Sequence, residues 1–121
     1  MDKYQAQQTY WAGFGLKAYN ELTVPEEERD KYPYLTYQLV EGTIDGPVTA
    51  SASLYYKGTS WAPVLQKAEA MSPEINKQIK ITGGYMKVRR PAAHFAQQAS
   101  DPDPMVRRIL LTVEIEFLTG R

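Results

Sequence analysis

The sequence predicts an α+β domain in which helices cover one face of a mostly antiparallel sheet. Three observations carry that expectation. The first 22 residues place apolar side chains at helical steps, later runs alternate apolar and polar residues with a period of two, and a second helical stripe interrupts those runs after the second of them. The predicted order is an N-terminal helix, a β-hairpin, a helix and three further strands. With 121 residues and a 43% hydrophobic fraction, residues 1–121 are expected to form one domain around one core.

Over residues 2–22, Tyr4, Trp11, Phe14, Ala18 and Leu22 fall at steps of seven, three, four and four, the stripe of a helix with one buried face. Gly13 and Gly15 each cost such a helix about 1 kcal/mol relative to alanine, so close packing against its backbone is expected there. Thr23 with Val24-Pro25-Glu26 has the spacing of a capping box, and residues 26–31 are expected to add one short turn that Tyr32-Pro33 ends. Residues 33–40 form the first predicted strand, with Leu35, Tyr37 and Leu39 on one face. Gly42, Asp45, Gly46 and Pro47 supply turn chemistry, and residues 48–56 follow as a small-sided second strand paired with the first.

Lys57-Gly58-Thr59 breaks that strand. Thr59 or Ser60 can cap a helix whose Trp61, Val64, Leu65, Ala68 and Met71 share a face, and Ser72-Pro73-Glu74 begins another turn. Ile79 and Ile81 alternate with polar residues before Gly83-Gly84, and Tyr85-Met86-Lys87-Val88 resume the pattern, which predicts a tight hairpin with Gly83-Gly84 at its tip. Residues 92–104 have turn residues and no hydrophobic period, so a long exposed loop is expected. Residues 106–118 are the clearest strand: Ile109, Leu111, Val113, Ile115 and Phe117 take one face, and Arg108, Leu110, Thr112, Glu114, Glu116 and Leu118 the other.

Composition excludes several function classes. Fourteen basic and 14 acidic side chains cancel, which argues against nucleic-acid binding through counterion release. The absence of cysteine excludes thiol nucleophiles, disulfides and thiolate metal sites. No apolar run approaches the roughly 20 residues that span a bilayer, and the start lacks the form of a signal peptide, so a soluble, intracellular domain is expected. The single histidine, His94, lacks the convergent ligands that a metal needs, and no serine has the G-x-S-x-G context of a hydrolase. Gly83-Gly84 is not followed by the lysine and hydroxyl of a phosphate loop. The residues therefore point to no catalytic, metal or cofactor site.

What remains suggests contact with other proteins. Thr49, Ser51, Ser53 and Tyr55 share a face with no obvious core to enter, and Leu110, Glu114 and Glu116 form a similar mixed face on the last strand. Arg89-Arg90 and Arg107-Arg108 flank the same long loop and could form an anion site, but Asp101, Asp103, Glu114 and Glu116 are near enough in sequence to neutralise them. Across a subunit boundary such pairs would fix register, since exposed ion pairs contribute only about 0–1 kcal/mol. The run of residues 26–31 reads as a solvated charged face. Trp11 and Trp61 are expected in the core. Nine tyrosines exceed what a small core needs, and tyrosine is favoured where protein surfaces meet.

The order of short motifs adds a further expectation. Tyr32-Pro33-Tyr34-Leu35-Thr36-Tyr37, the small-residue strand ending at Leu54-Tyr55-Tyr56, Gly83-Gly84-Tyr85 and Arg89-Arg90-Pro91 come first. Phe95-Ala96-Gln97-Gln98, Asp101, Asp103 and Arg107-Arg108-Ile109-Leu110-Leu111 follow. Over residues 10–118 the chain resembles the tail-terminator proteins of long-tailed bacteriophages and prophages, also called tail-completion, minor tail or minor capsid proteins. The resemblance implies a non-enzymatic virion subunit without cofactor. Such subunits form a ring, commonly a hexamer, that caps the tail tube, ends its growth and allows head–tail joining.

Its implied partners are further copies of itself, the tail-tube protein and a head-completion or connector protein, with no sequence-specific nucleic-acid binding and no membrane. Its implied location is the tail end or neck of the virion, and the host cytoplasm during assembly. A closed ring needs one surface of each subunit to meet a different surface of the next. The expected surfaces are the face carrying Thr49, Ser51, Ser53, Tyr55, Leu110, Glu114 and Glu116 and, opposite it, the loop of residues 92–104 with Gln97, Asp101 and Asp103, flanked by the arginine pairs. A connector ring of the same phage neck, a small ligand-binding module of non-phage origin and an adaptor using its tyrosines are the alternatives.

Overall fold

The longest period-two run in the chain becomes the axis of the sheet. A computed structural model describes residues 1–42, 46–92 and 94–119. Among these, the order is α1 (Lys3–Ala12), β1 (Ala18–Asn20), β2 (Tyr34–Tyr37), β3 (Val48–Lys57), α2 (Ala62–Met71), β4 (Lys77–Ile81), β5 (Gly84–Arg89), β6 (Ala96–Ala99) and β7 (Val106–Thr119), with 3₁₀ turns at Glu26–Glu28 and Ser72–Glu74. The strands lie in the order β1-β2-β3-β7-β5-β4, and β6 also pairs with β7. β3 runs along one side of β7, from Lys57 opposite Val106 to Val48 opposite Ile115. On its other side β7 is shared: β6 takes residues 108–111 and β5 takes residues 114–119.

The α+β class is present, but the sheet is mixed. β1 runs parallel to β2, with Ala18 opposite Leu35 and Asn20 opposite Tyr37, whereas the other pairings are antiparallel. A parallel pair needs a return of about a dozen residues, and the segment 21–33 provides it.

The expected helix over residues 2–22 is half that length. Asp2 caps it, its Oδ1 accepting from the backbone N–H groups of Tyr4 (2.9 Å) and Gln5 (2.8 Å), while Gln5 Oε1 accepts from Asp2 N at 2.9 Å. The capping box thus lies here; the turn at Glu26–Glu28 has Pro25 before it and no side-chain cap. Gly13 caps the end of α1 and Gly15 has φ +87°, a left-handed conformation that glycine adopts without penalty. Both glycines therefore serve to stop the helix, and what approaches them from other elements is side chain and not backbone: a Cβ would lie 3.9 Å from Lys77 Nζ at Gly13 and 3.7 Å from Lys67 Nζ at Gly15. Beyond them Ala18 enters β1, and Tyr4 and Leu22 of the expected stripe are exposed.

The core lies between the helices and one sheet face. Ala6, Tyr10 and Trp11 of α1, Phe14, and Val64, Ala68 and Met71 of α2 meet Leu35, Tyr37, Leu54, Met86, Val88 and the odd-numbered residues 109–115 of β7. Gln7 is fully buried yet satisfied: its amide donates to Val40 O at 2.7 Å and its Oε1 accepts from Val40 N at 2.9 Å, as a neighbouring strand would. Tyr10 donates to Ile75 O at 2.8 Å and joins α1 to the start of β4. Trp11 is in the core as expected, while Trp61 is half-buried with the Arg107 guanidinium over its ring.

Three further expectations need correction. The hairpin tip is Thr82-Gly83, one residue earlier than predicted, because Ile81 already pairs with Gly84. The first hairpin strand spans only Tyr34–Tyr37, leaving Leu39 outside it; Asp45 of the predicted turn lies outside the described residues. Residues 92–104, expected as loop, contain β6, whose Gln97-Gln98 shows no apolar alternation. The free edge of β7 supplies its partner, so backbone pairing and not side-chain burial makes this strand.

Candidate interaction face

The helices leave the opposite face of the sheet uncovered, although Tyr34, Thr36 and Ser53 on it are buried. On it, Thr49, Ser51, Ser53 and Tyr55 of β3 stand opposite Glu114, Thr112, Leu110 and Arg108 of β7. Arg89 pairs in register with Glu114, Lys87 with Glu116 and Tyr85 with Leu118 on β5, and Gln97 of β6 lies opposite Leu110. Nine of the expected contact residues thus share one face: Thr49, Ser51, Ser53, Tyr55, Arg89, Gln97, Arg108, Glu114 and Glu116.

Four expected residues do not join them on the strands. Arg107 is in phase with the core side of β7, donating to Pro104 O (2.7 Å) and Thr59 O (3.2 Å). Arg90 donates to Ser72 Oγ and O beside the end of α2. The two arginine pairs are therefore split between the two sides of the sheet, because adjacent strand residues point oppositely, and they form no joint anion site. Asp101 and Asp103 form turns: Asp101 Oδ1 accepts from Asp103 N, and Asp103 Oδ1 from Met105 N, both at 2.9 Å. Glu116 is the carboxylate that does neutralise an arginine, forming an ion pair with Arg89 within the chain.

Ser53 is not an available surface residue. It is only 5% exposed, and its Oγ accepts from Arg108 Nε at 3.1 Å. The same guanidinium donates to Ser100 O and lies over the Tyr55 ring, 5.8 Å from its centroid, so it fastens the segment after β6 to the sheet. Replacing Arg108 with alanine should destabilise the domain by about 1.5–3 kcal/mol in urea unfolding, and Arg108→Lys should recover only part because one ammonium cannot span both acceptors.

Beside this clasp the tyrosines stack. Tyr34 lies 5.1 Å from Tyr55 and 5.3 Å from Tyr32 between ring centroids, with Tyr19 edge-on at 6.2 Å. Together with Glu21, Val24, Arg29, Asp30, Thr36 and Asp101, three of these rings line an open cleft of about 330 Å³. Burial, then the neighbouring tyrosines and the negative Asp101, push the Tyr34 phenol up to about 12. The tyrosine excess is thus spent largely on internal stacking, and Tyr34 and Tyr37 are buried, while Tyr85 remains exposed. Nothing in the period-two pattern distinguishes those cases, since ring stacking depends on neighbouring strands.

The turn at Glu26–Glu28 carries two ion pairs. Glu28 pairs with Lys17 (3.5 Å) and Lys31 (3.3 Å). Desolvation acts to raise its carboxyl, but Lys31, Lys17 and a hydrogen bond from the Tyr19 phenol together outweigh it and hold the group below the usual carboxylate range. Among the described residues no three His, Asp or Glu side chains stand close enough to hold a metal ion, His94 is exposed, and no helix is long and apolar enough to cross a membrane. Comparison with protein-family models, curated proteins and solved structures finds no match to this chain.

Proposed function

We propose that this protein is a structural subunit of a long-tailed phage, forming a ring that caps the tail tube, ends its growth and allows the head to join. The observation that carries the reading is the bare sheet face. No helix covers its centre, and it sets Tyr55, Tyr85 and Arg108, residue types favoured where protein surfaces meet, among hydroxyls and the carboxylates of Glu114 and Glu116. The motif order resembling tail-terminator proteins supports the same reading and supplies the partners: other copies of this chain, a tail-tube protein and a head-completion or connector protein. The function is binding and not chemistry, so neither enzyme activity nor a cofactor enters it.

Electron microscopy of particles assembled without this protein tests the proposal. Overlong or headless tails are expected, and normal virions would refute it. A surface probe must avoid Ser53, where a lysine would be buried beside Arg108 and unfold the site. Ser51→Lys, at a half-buried position opposite Thr112, is expected to leave the melting temperature within a few degrees while abolishing complementation in the same particles.

A further inference from the structure

Two exposed apolar patches, one toward each edge strand of the sheet, differ in the charged residues that line them. At the β1–β2 edge, Tyr4 of α1, Leu22 and Leu39 line an open cleft of about 420 Å³ with Glu21 and Glu41 on its walls. Leu22 is 85% exposed, an unusual position for leucine on a surface that also exposes Tyr4 and Leu39. Lys3 donates to the Glu41 carbonyl at 2.9 Å and its ammonium lies 5.4 Å from the centroid of the Tyr4 ring, so one cation stands beside this cleft. The Glu21 and Glu41 carboxylates have no ion pair among the described residues.

Toward the β4–β5 edge, Tyr85 and Leu118 stand directly opposite one another across β5 and β7, 44% and 45% exposed. Lys80 of β4 pairs in register with Tyr85, and Lys87 lies two residues along on the same face. Glu116, opposite Lys87, is already engaged by Arg89, so both ammonium groups remain for an external partner. The hairpin strands, Lys77–Ile81 and Gly84–Arg89, contain no acidic residue at all.

We infer that these patches are the two halves of one heterologous contact: the Tyr85–Leu118 knob of one copy seats in the Tyr4–Leu22–Leu39 cleft of the next, with Lys80 and Lys87 facing Glu21 and Glu41. Each patch is poorly suited to meet its own kind, since lysine would face lysine and glutamate would face glutamate. A head-to-tail contact leaves each copy with one free cleft and one free knob, so it propagates until the rotation closes into a ring. This rests on the ring reading and deepens it by placing the copy-to-copy contact at the two edges, which leaves the face between them, with Ser51, for the tail-tube and head partners.

The test uses the full chain in sedimentation and light scattering across a concentration series. Leu22→Arg disables the cleft and Tyr85→Asp disables the knob, and both positions are exposed enough that circular dichroism and thermal unfolding should match the wild type. The wild type is expected to form species larger than a dimer, increasingly at low salt, and each variant alone should associate at least tenfold more weakly. Mixed in equal amounts, the variants should stop at a dimer, because one intact cleft then meets one intact knob. Glu21→Lys combined with Lys87→Glu should recover assembly that either change alone weakens.

A wild type that stays monomeric at millimolar concentration overturns the inference, as do variants that assemble like the wild type. The second outcome leaves the ring reading standing with a different interface. Normal particles in the protein's absence would reject the ring reading whatever the variants do.

Discussion

Replacing Gly84 with alanine should loosen β5 from the end of β7 and destabilise the domain by about 3 kcal/mol. Gly84 is the first residue of β5 and pairs with Ile81 on one side and Thr119 on the other. A Cβ built on it would run into the carbonyl oxygen of Leu118 and stand 2.8 Å from Thr119 Cα. Both obstacles are backbone, so no rotamer change relieves them and the strand itself must move. Gly83 beside it is a glycine for a different reason: its φ is +82° and nothing lies within 4 Å of an added Cβ. Gly83→Ala should therefore cost only about 1–2 kcal/mol of left-handed strain, and Gly83→Asn less. Urea unfolding ranks the three, and hydrogen exchange should show faster exchange of the β5 amides in Gly84→Ala alone. A Gly84→Ala protein within about 0.5 kcal/mol of the wild type would mean that β5 and β7 do not approach this closely. Because Tyr85 and Leu118 face each other across this joint, the same variant should also weaken self-association.

The two glycines illustrate how much was legible in the sequence. The dipeptide Gly83-Gly84 marks a hairpin, but which glycine turns and which admits a neighbouring strand depends on β7, far along the chain, so the tip is read one residue late. Gly13 and Gly15 show a related ambiguity. A helix stop and a close-packing site have the same composition, and the apolar period continued past them by coincidence through Ala18 and Leu22. Period-two alternation located β3, β5 and β7 because their side chains alternate between core and bare face. It missed β6 and β1, which are short and held chiefly by partner backbones. The bare face was legible as a set of polar positions in phase on β3 and β7. That Ser53 lies beneath Arg108, that Arg90 and Arg107 turn away, and that Leu22 and Leu39 line one cleft with Tyr4 all require the sheet order.

Trp11→Ala should remove about 3–5 kcal/mol, a large share of the roughly 5–15 kcal/mol that holds a domain together. The indole is fully buried at the centre of an aromatic cluster, edge-on to Tyr10 at 5.0 Å, tilted against Phe14 at 6.2 Å and stacked over Tyr37 at 6.4 Å. Alanine would leave these three rings around a void that none can fill, because Tyr10 is tied to Ile75 O and Tyr37 to Gln8 Oε1 at 2.6 Å. Trp11→Phe separates volume from hydrogen bonding. The indole N–H has no protein acceptor in its buried position, so phenylalanine forfeits some packing area but no bond, and should cost less than about 1.5 kcal/mol. Urea unfolding followed by circular dichroism measures both, with an unchanged slope showing that the folded states are equally compact. If alanine costs no more than phenylalanine, α1 is not packed on the sheet through this ring. Tyr4 sits on that same helix, so a loosened α1 would also take away the cleft wall, and Trp11→Ala should weaken self-association together with stability. Leu22→Arg, which touches no core residue, should weaken association alone; the contrast separates an interface broken directly from one undermined through its support.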